Sequence, residues 1–177
     1  NQCSTAIGRR LCKQRLLYPI LDKIELRDRY DIVDAFQKDS VYNQFRPNLK
    51  KILDIEKLHR KMSLSLLSPY EFYSLHTSYI YLQKIIGSLK IAMPKIYSDN
   101  DKCISGLISF MDEYKSIFDL DELEKYSMIN MSTSVFNTGK YTEIDELQST
   151  ISDAKNKINL ICDKLGKYID HKKNGSV

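Results

Sequence analysis

Cysteine and histidine are scarce in this sequence, and neither occurs in a metal-binding or disulfide pattern. The four cysteines (Cys3, Cys12, Cys103 and Cys162) are widely spread and form no CxxC pair, and the three histidines form no HExxH motif. Disulfide frameworks and structural zinc sites need such residues at close, regular spacing. We therefore expect reduced thiols, an intracellular compartment and no metal site.

Long apolar runs are absent as well. No stretch approaches the roughly 20 apolar residues that a membrane span requires, and the polar N-terminus lacks the apolar core of a secretory signal. We expect no contact with membranes. The first residue is Asn rather than Met, which leads us to expect an excised fragment of a longer protein.

The common catalytic motifs are missing too. The sequence contains no GxxxxGK[ST], GxGxxG or GxSxG motif, each of which positions a phosphate, a cofactor or a nucleophile. Two acidic clusters, at 119–124 and 143–147, fall where helices are predicted to begin, and acidic side chains there complement the helix dipole. We expect no catalysis and no cofactor site within this chain.

The composition is that of a folded domain with a mild positive charge. Of the 177 residues, 42% are apolar and 28% charged, with a net charge of +4. This is enough for one or two packed units. The charge permits contact with nucleic acid without requiring it.

Helix start signals recur along the chain. Ser4 or Thr5 can cap a first helix that ends before Pro19, whose core-facing residues would be Leu11 and Leu16. Asp22 can cap a second helix, and "SPYE" at Ser68 is a capping box with proline at the first helical position. The further helices are predicted at 40–52, 54–62, 68–90, 99–117 and 119–126, with a break over 93–101. The aromatic residues of 70–81 alternate with aliphatic ones, which favours burial between helices over base stacking.

The last quarter carries a strict heptad pattern. Apolar residues there alternate at spacings of three and four, which is typical of a coiled coil. A helix over 142–172 would extend roughly 46 Å at about 1.5 Å per residue, so it must project beyond a body with a radius of gyration of roughly 16 Å. No other segment shows a matching pattern, so its partner must come from outside this chain. We call this stripe the heptad seam: Ile144, Leu147, Ile151, Ala154, Ile158, Ile161, Leu165 and Tyr168.

These patterns predict an all-α fold. We expect an irregular bundle of several helices with one long projecting helix, and at most a short strand pair near 128–141, where the sequence is β-branched and turn-like.

Four segments in order resemble the core, or lever, domain of the MutS family of DNA mismatch-repair ATPases. "STAIGRRLCKQRLLYP" is similar to the signature that opens that domain, and "LRDRYDIVDAF" to its Arg-Tyr-x-x-Val helix. "LDIEKLHRKMSLSLLSPYEF" resembles its Asp-hydrophobic-Glu segment with a Pro-begun helix, and "GKYTEIDELQ" the start of its long helix. The residues that carry the match and would be structural are Thr5, Gly8, Arg10, Pro19, Asp54, Glu56, Pro69, Gly139 and Asp145.

The match departs from the family pattern in places. Arg15 stands where an aromatic residue is usual, Lys57 and Lys61 where Arg is common, and Ile144 where Leu is usual. Together with the abundance of Lys, Ile, Asn and Tyr, this points to a divergent lineage, such as that of a large DNA virus.

The resemblance implies a structural role. Residues 1–118 would form the body, 119–141 a connecting segment, 142–172 the lever helix, and 173–177 the start of a clamp domain absent from this chain. The parent protein would use ATP and Mg²⁺, bind mismatched double-stranded DNA through its clamp, and form a homodimer. This domain would contact the ATPase and connector domains of the same chain in the cytoplasm or nucleoid, the nucleus or a viral factory. Lys172 and Lys173 would lie nearest the DNA, as phosphate contacts.

Two other functions remain open from the residues alone. The chain could be a self-standing interaction module that dimerises through the heptad seam, 144–168. It could also be an autonomous nucleic-acid-binding domain that uses the basic residues Arg9, Arg10, Lys13 and Arg15.

Overall fold

The computed structural model describes residues 3–126 and 133–174, with residues 39, 99 and 168–174 described as backbone only. This part of the chain is helical apart from its connections, which confirms the predicted all-α class. A single 3-10 turn, Lys38–Ser40, precedes the third helix. The α-helices of the described part are α1 Ala6–Leu17, α2 Lys23–Gln37, α3 Tyr42–Leu49, α4 Ile55–Ser63, α5 Pro69–Ala92, α6 Pro94–Asp99, α7 Asp101–Ile117, α8 Leu120–Lys125 and α9 Thr142–Asn174.

The predicted N-terminal caps form as hydrogen bonds. The Thr5 hydroxyl accepts from the Gly8 N–H, and the Asp22 carboxylate accepts from the N–H groups of the first turn of α2. At α5 the Ser68 hydroxyl accepts from Glu71 N–H, and the Glu71 side chain accepts from Ser68 N–H. These side chains satisfy backbone donors that have no partner inside their helix.

Helix α5 runs through the centre of the body. Its buried residues Leu75 and Tyr79 pack with Leu58 of α4 and with Met111 and Tyr114 of α7 to form the main core cluster. The ring of Phe72 meets that of Tyr114 edge-on, with 5.3 Å between ring centroids. The prediction of buried aromatic residues is therefore correct along this face, although Tyr70 at the start of α5 is exposed.

Two smaller clusters extend the core towards either end of α5. Phe45, Ile52 and Ile85 join α3 to the C-terminal half of α5. Near the N-terminal end of α5, Leu123 and Val135 pack with Tyr126. Residues on both sides of the segment 127–132 are thus attached to the body.

The segment 133–141 takes part in a single β bridge rather than a strand pair. Phe118 and Phe136 form an isolated antiparallel bridge, which is the only β pairing among residues 3–126 and 133–174. Residues 128–132 of the predicted strand region lie outside the described residues. The stacked rings of Phe118 and Phe136, with centroids 5.3 Å apart, hold the two backbones together at this bridge.

Two expectations about local structure are wrong. Leu11 and Leu16 do not face the core of the described part, since their exposures are 45% and 78%. Periodicity shows which residues share a face of α1, but it does not show whether this chain supplies anything to cover that face. The predicted break over 93–101 also contains α6, because Pro94 occupies a position near the helix start, where proline is favoured.

Helix α9 is the predicted long helix. It spans 33 residues, which corresponds to roughly 50 Å. Every residue from Ile151 to Lys167 is exposed, so this part of the helix projects from the body.

Candidate functional site

Three residues of the family-like motifs meet at one ion cluster. The Arg10 guanidinium of α1 donates from Nη1 to Asp54 Oδ2 at 2.7 Å and from Nη2 to Asp54 Oδ1 at 2.6 Å. Its Nη2 also lies 2.5 Å from Glu56 Oε2. We call Arg10, Asp54 and Glu56 the Arg10 cluster. It joins α1 to the start of α4 across 44 residues of sequence.

Asp54 both binds Arg10 and caps α4. Its Oδ1 atom also accepts from the Lys57 N–H at 3.2 Å, so it caps α4 while it binds Arg10. The hydrogen bonds from Arg10, and then the one from Lys57, lower the pKa of the Asp54 carboxyl to about 2. The hydrogen bonds from Arg10 to Asp54, and then to Glu56, raise the pKa of Arg10. Arg10 and Asp54 are therefore both charged near neutral pH.

The remaining motif residues in the first half of the chain lie at helix ends. A Cβ atom on Gly8 would lie 2.9 Å from the Thr5 Oγ1 atom, so a larger residue would displace the oxygen that caps α1. Pro19 follows the C-cap residue Tyr18, where it cannot continue the helix. Pro69 is the first residue of α5.

The Arg10 cluster sets Arg10 apart from the other basic residues of α1. Arg9, Lys13 and Arg15 are exposed, whereas Arg10 is bound to two carboxylates of the body. A nucleic-acid site made of all four residues would have to break the Arg10 cluster. This arrangement counts against an autonomous binding site on α1.

The start of α9 is held by a second set of motif residues. Gly139 has φ +84°, in the left-handed region that favours glycine. Its N–H donates to Asp145 Oδ2 at 2.8 Å, which ties the turn to the first turn of α9. The rings of Phe136 and Tyr141 meet edge-on, with centroids 5.0 Å apart.

One further hydrogen bond links α9 to the body. The Gln148 side-chain oxygen accepts from the Ser134 N–H at 3.0 Å. A shallow cleft of about 300 Å³ opens beside this bond, lined by the 133–136 segment and the first seam residues Ile144, Leu147 and Ile151. Lys172 and Lys173 lie near the far end of α9, and their side chains are not among those described.

Sequence reasoning missed two histidine–tyrosine contacts, one inside the core and one at its surface. The buried His76 Nδ1 lies 2.7 Å from the Tyr114 hydroxyl, and the His59 Nε2 contacts the Tyr79 hydroxyl. Burial lowers the pKa of His76 and raises the pKa of Tyr79 to about 12. The only signal in the sequence was the presence of His and Tyr on helical faces, which does not identify their partners.

A second missed contact connects α4 and α5. The Lys61 ammonium group binds the Glu71 carboxylate, and this contact, with the hydrogen bond from Ser68, lowers the pKa of Glu71. Glu71 could be identified from its capping box. Nothing in the sequence pattern pairs it with a lysine ten residues away.

The described residues contain no group of three or more His, Cys, Asp or Glu residues that could hold a metal ion. The two carboxylates of the Arg10 cluster already bind a guanidinium. The four cysteines are exposed and unbonded to one another. No helix in the described part is both long and apolar enough to cross a membrane.

The fold and these contacts define a helical domain with a firmly attached projecting helix. The chain belongs to the MutS domain III family, whose family model matches residues 1–170. This is the core domain to which the four sequence segments pointed.

Similar proteins carry the same family name. A mutS homolog of Acanthamoeba polyphaga mimivirus is 28% identical over 162 residues, which cover 85% of this chain and 14% of that protein. The DNA mismatch repair protein MutS of Alkaliphilus metalliredigens is 26% identical over 156 residues, covering 88% of this chain and 17% of that protein. A mitochondrial DNA mismatch repair protein mutS homolog of Sarcophyton glaucum is 33% identical over 131 residues, covering 70% of this chain and 13% of that protein. The chain thus spans less than a fifth of the length of these relatives.

Proposed function

We propose that this chain is the transmission domain of a MutS-like mismatch-repair ATPase. In this role, α9 carries displacements between a DNA-contacting region at its far end and an ATPase domain elsewhere in the parent protein. The domain itself performs no chemistry. Its task is to keep two distant sites mechanically connected.

The observation that carries this proposal is the way in which α9 is attached. Its first turns are bound to the body by the Gly139–Asp145 and Ser134–Gln148 hydrogen bonds, while residues 151–167 are exposed. A helix held at one end moves as a rod, because each backbone hydrogen bond along it resists bending.

A packed path leads from this attachment to the centre of the body. Ser134 is followed by Val135, which is buried with Leu123 of α8 in the cluster that packs on Phe72 of α5. Coupling between distant sites travels through contiguous packing of this kind when an element has two arrangements. The proposal requires that α9 and the 133–141 segment shift together.

The partners of the parent protein are part of the same proposal. The relatives are named as DNA mismatch repair proteins, and by family the parent would bind mismatched double-stranded DNA, use ATP and Mg²⁺ and act as a homodimer inside the cell. The domain would contact the connector and ATPase domains of its own chain. Lys172 and Lys173, near the far end of α9, would be the residues of this chain closest to DNA phosphates.

The test uses the full-length parent protein and breaks α9 at its middle. Ile158→Pro removes a helix hydrogen bond and costs about 3 kcal/mol locally. We expect the parent to hydrolyse ATP and to bind DNA, but the rate of hydrolysis should no longer respond to a mismatch. The measurement is steady-state ATP turnover with matched and with mismatched duplex DNA.

Thr142→Pro is the matched control. It introduces the same residue at the first position of α9, where proline is tolerated, so the response to a mismatch should be retained. An Ile158→Pro parent that responds to mismatched DNA as the unmodified protein does would exclude transmission through α9.

A further inference from the structure

A histidine–tyrosine pair joins α5 to α7 inside the core. His76 of α5 is 6% exposed and Tyr114 of α7 is 5% exposed. The His76 Nδ1 atom lies 2.7 Å from the Tyr114 hydroxyl, and the two rings meet edge-on with centroids 5.7 Å apart. Leu75 and Met111, which belong to the main core cluster with Tyr114, have no exposed surface. This polar contact therefore lies in apolar surroundings.

The hydrogen bond requires an unprotonated Nδ1 atom. Among the described residues, His76 is the one hydrogen-bond partner of the Tyr114 hydroxyl, so Nδ1 must accept its proton. A protonated imidazole donates from both ring nitrogens, and it would leave the Tyr114 proton without an acceptor. A buried donor without an acceptor costs free energy. The contact therefore favours neutral His76.

The nearby charge also opposes a proton on His76. Lys115, which follows Tyr114 on α7, repels a positive charge on the His76 ring. No carboxylate among the described residues forms an ion pair with His76. Burial, and then the repulsion from Lys115, lower the pKa of His76.

The other titratable groups around this part of the core interact with residues other than His76. They are His59 with Tyr79 and Lys61 with Glu71 on the α4 side, Asp112 with Tyr114 on α7, and Asp121 and Glu124 with Tyr73 on the α8 side. The carboxylates of this set act on tyrosines or bind a lysine. A positive charge on His76 would therefore stay uncompensated.

The position of Tyr114 connects this contact to the end of α7. Two backbone hydrogen bonds attach that end to the segment that precedes α9. The Asp119 N–H donates to the Val135 carbonyl and the Asn137 N–H donates to the Ile117 carbonyl, each at 2.9 Å. Tyr114 lies one helical turn before Ile117, so release of Tyr114 from α5 would free the turn that carries these bonds.

We propose that His76 and Tyr114 form an acid-sensitive lock between α5 and α7. Neutral His76 accepts the hydrogen bond from Tyr114 and keeps the end of α7 against α5. Protonation of His76 opens this contact and loosens the segment that precedes α9. The lock is a property of the body and does not depend on whether α9 transmits a signal.

The pH dependence of unfolding in the unmodified chain and in His76→Asn tests the proposal. Asparagine offers an acceptor oxygen but cannot be protonated. Because the pKa of His76 is lower in the folded chain than its ordinary value of 6.5, its contribution to stability is present above 6.5 and is lost as the pH falls towards the folded-state pKa. Between pH values of about 8 and about 5, we expect the folding equilibrium constant of the unmodified chain to fall about fivefold or more relative to that of the variant. Urea unfolding measures both constants.

Hydrogen exchange tests whether the opening is local. After correction for the intrinsic exchange rate at each pH, protection of the Asp119 and Asn137 N–H groups should fall with pH more than that of the Ile85 N–H of α5. In His76→Asn this difference should disappear. His59→Gln is the matched control, since it removes a histidine that also contacts a tyrosine but is exposed, and both pH effects should remain.

Nuclear magnetic resonance of the imidazole groups tests the lock without any change at His76. The His76 signal can be assigned by replacing His59 and His171 in turn. We expect it to titrate below 6.5 in the unmodified chain. In Tyr114→Phe it should titrate closer to 6.5, because no hydroxyl proton then depends on Nδ1.

Three results would overturn the proposal. The first is the same pH dependence of unfolding in the unmodified chain and in His76→Asn. The second is an equal loss of protection at Asp119 and Ile85, which would mean that the whole body unfolds together. The third is titration of His76 at or above 6.5. All three measurements use the 177-residue chain, so they are independent of coupling in the parent protein.

Discussion

At the scale of single residues, the Arg10 cluster shows how one carboxylate can serve two structural purposes. Asp54 caps α4 through the Lys57 N–H and binds the guanidinium that α1 supplies. An N-cap and an ion pair make different demands on the side chain, since a cap needs only an acceptor oxygen whereas the pair needs charge. Substitution can therefore separate them.

Asp54→Asn keeps the cap and removes the charge, and Asp54→Ala removes both. We expect Asn to lower the free energy of unfolding through loss of the Arg10 contacts, and Ala to lower it by about 1 kcal/mol more through loss of the cap. Urea unfolding near neutral pH measures both effects. Asp22→Asn is the control, because Asp22 caps α2 by accepting backbone N–H groups, and it should change the stability by less than about 0.5 kcal/mol.

The charge effect at Asp54 has a defined pH range. The pKa is lower in the folded state, about 2 against 3.8 for the free side chain. The contribution of Asp54 to stability is therefore present above about 3.8 and is lost as the pH falls towards about 2. The gap in stability between the unmodified chain and Asp54→Asn should close over this interval. If the difference in the free energy of unfolding between the two chains stays constant down to a pH of about 2, the charge on Asp54 does not contribute to stability.

At the scale of secondary-structure elements, the starts of helices could be predicted from the sequence, whereas contacts between remote segments could not. The starts of α2 and α5 could be predicted because Asp22 and the Ser68–Glu71 box lie beside the groups they cap. The exposure of Leu16 on α1 and the pairing of Arg10 with Asp54 could not, since both depend on segments that are remote in sequence. The roles of the motif residues at Gly139 and Asp145 remain predictions for the parent protein, although both lie where α9 begins.

The turn before α9 gives a prediction at this scale. Gly139→Ala meets no atom within 4 Å but must adopt φ +84°, which costs an L-residue about 1 kcal/mol or more. We expect it to lower the free energy of unfolding by that amount. Gly139→Asn should be milder, because Asn tolerates the left-handed region better than Ala.

Gly106→Ala is the same chemical change, but we expect it to raise the free energy of unfolding rather than lower it. Gly106 lies inside α7 and also has no atom within 4 Å of an added Cβ, so alanine should raise the stability by about 0.5–1 kcal/mol. Thermal unfolding of the variants compares them directly. Equal effects of alanine at the two positions would mean that the backbone at Gly139 is not held in the left-handed region.

At the scale of the whole molecule, the body and the projecting part of α9 differ in what stabilises them. The body has its clusters around α5, and the segment 133–148 adds the contacts that attach α9. From Ile151 to Lys167, the side chains of α9 are exposed. A helix without a packed face adds little to the stability of a fold, since most helical stability in proteins comes from packing.

Removal of residues 155–177 tests this division of stability. The shortened chain retains Gln148, Ile151 and all the buried clusters, so we expect its free energy of unfolding to stay within about 0.5 kcal/mol of that of the full chain. Circular dichroism should show a lower helical signal and an unchanged urea midpoint. Leu123→Ala is the contrasting variant, since this side chain is buried between α8 and the body and its loss should cost about 2–5 kcal/mol. A shortened chain destabilised as much as Leu123→Ala would mean that the far part of α9 folds back on the body, and it could not then act as a projecting rod.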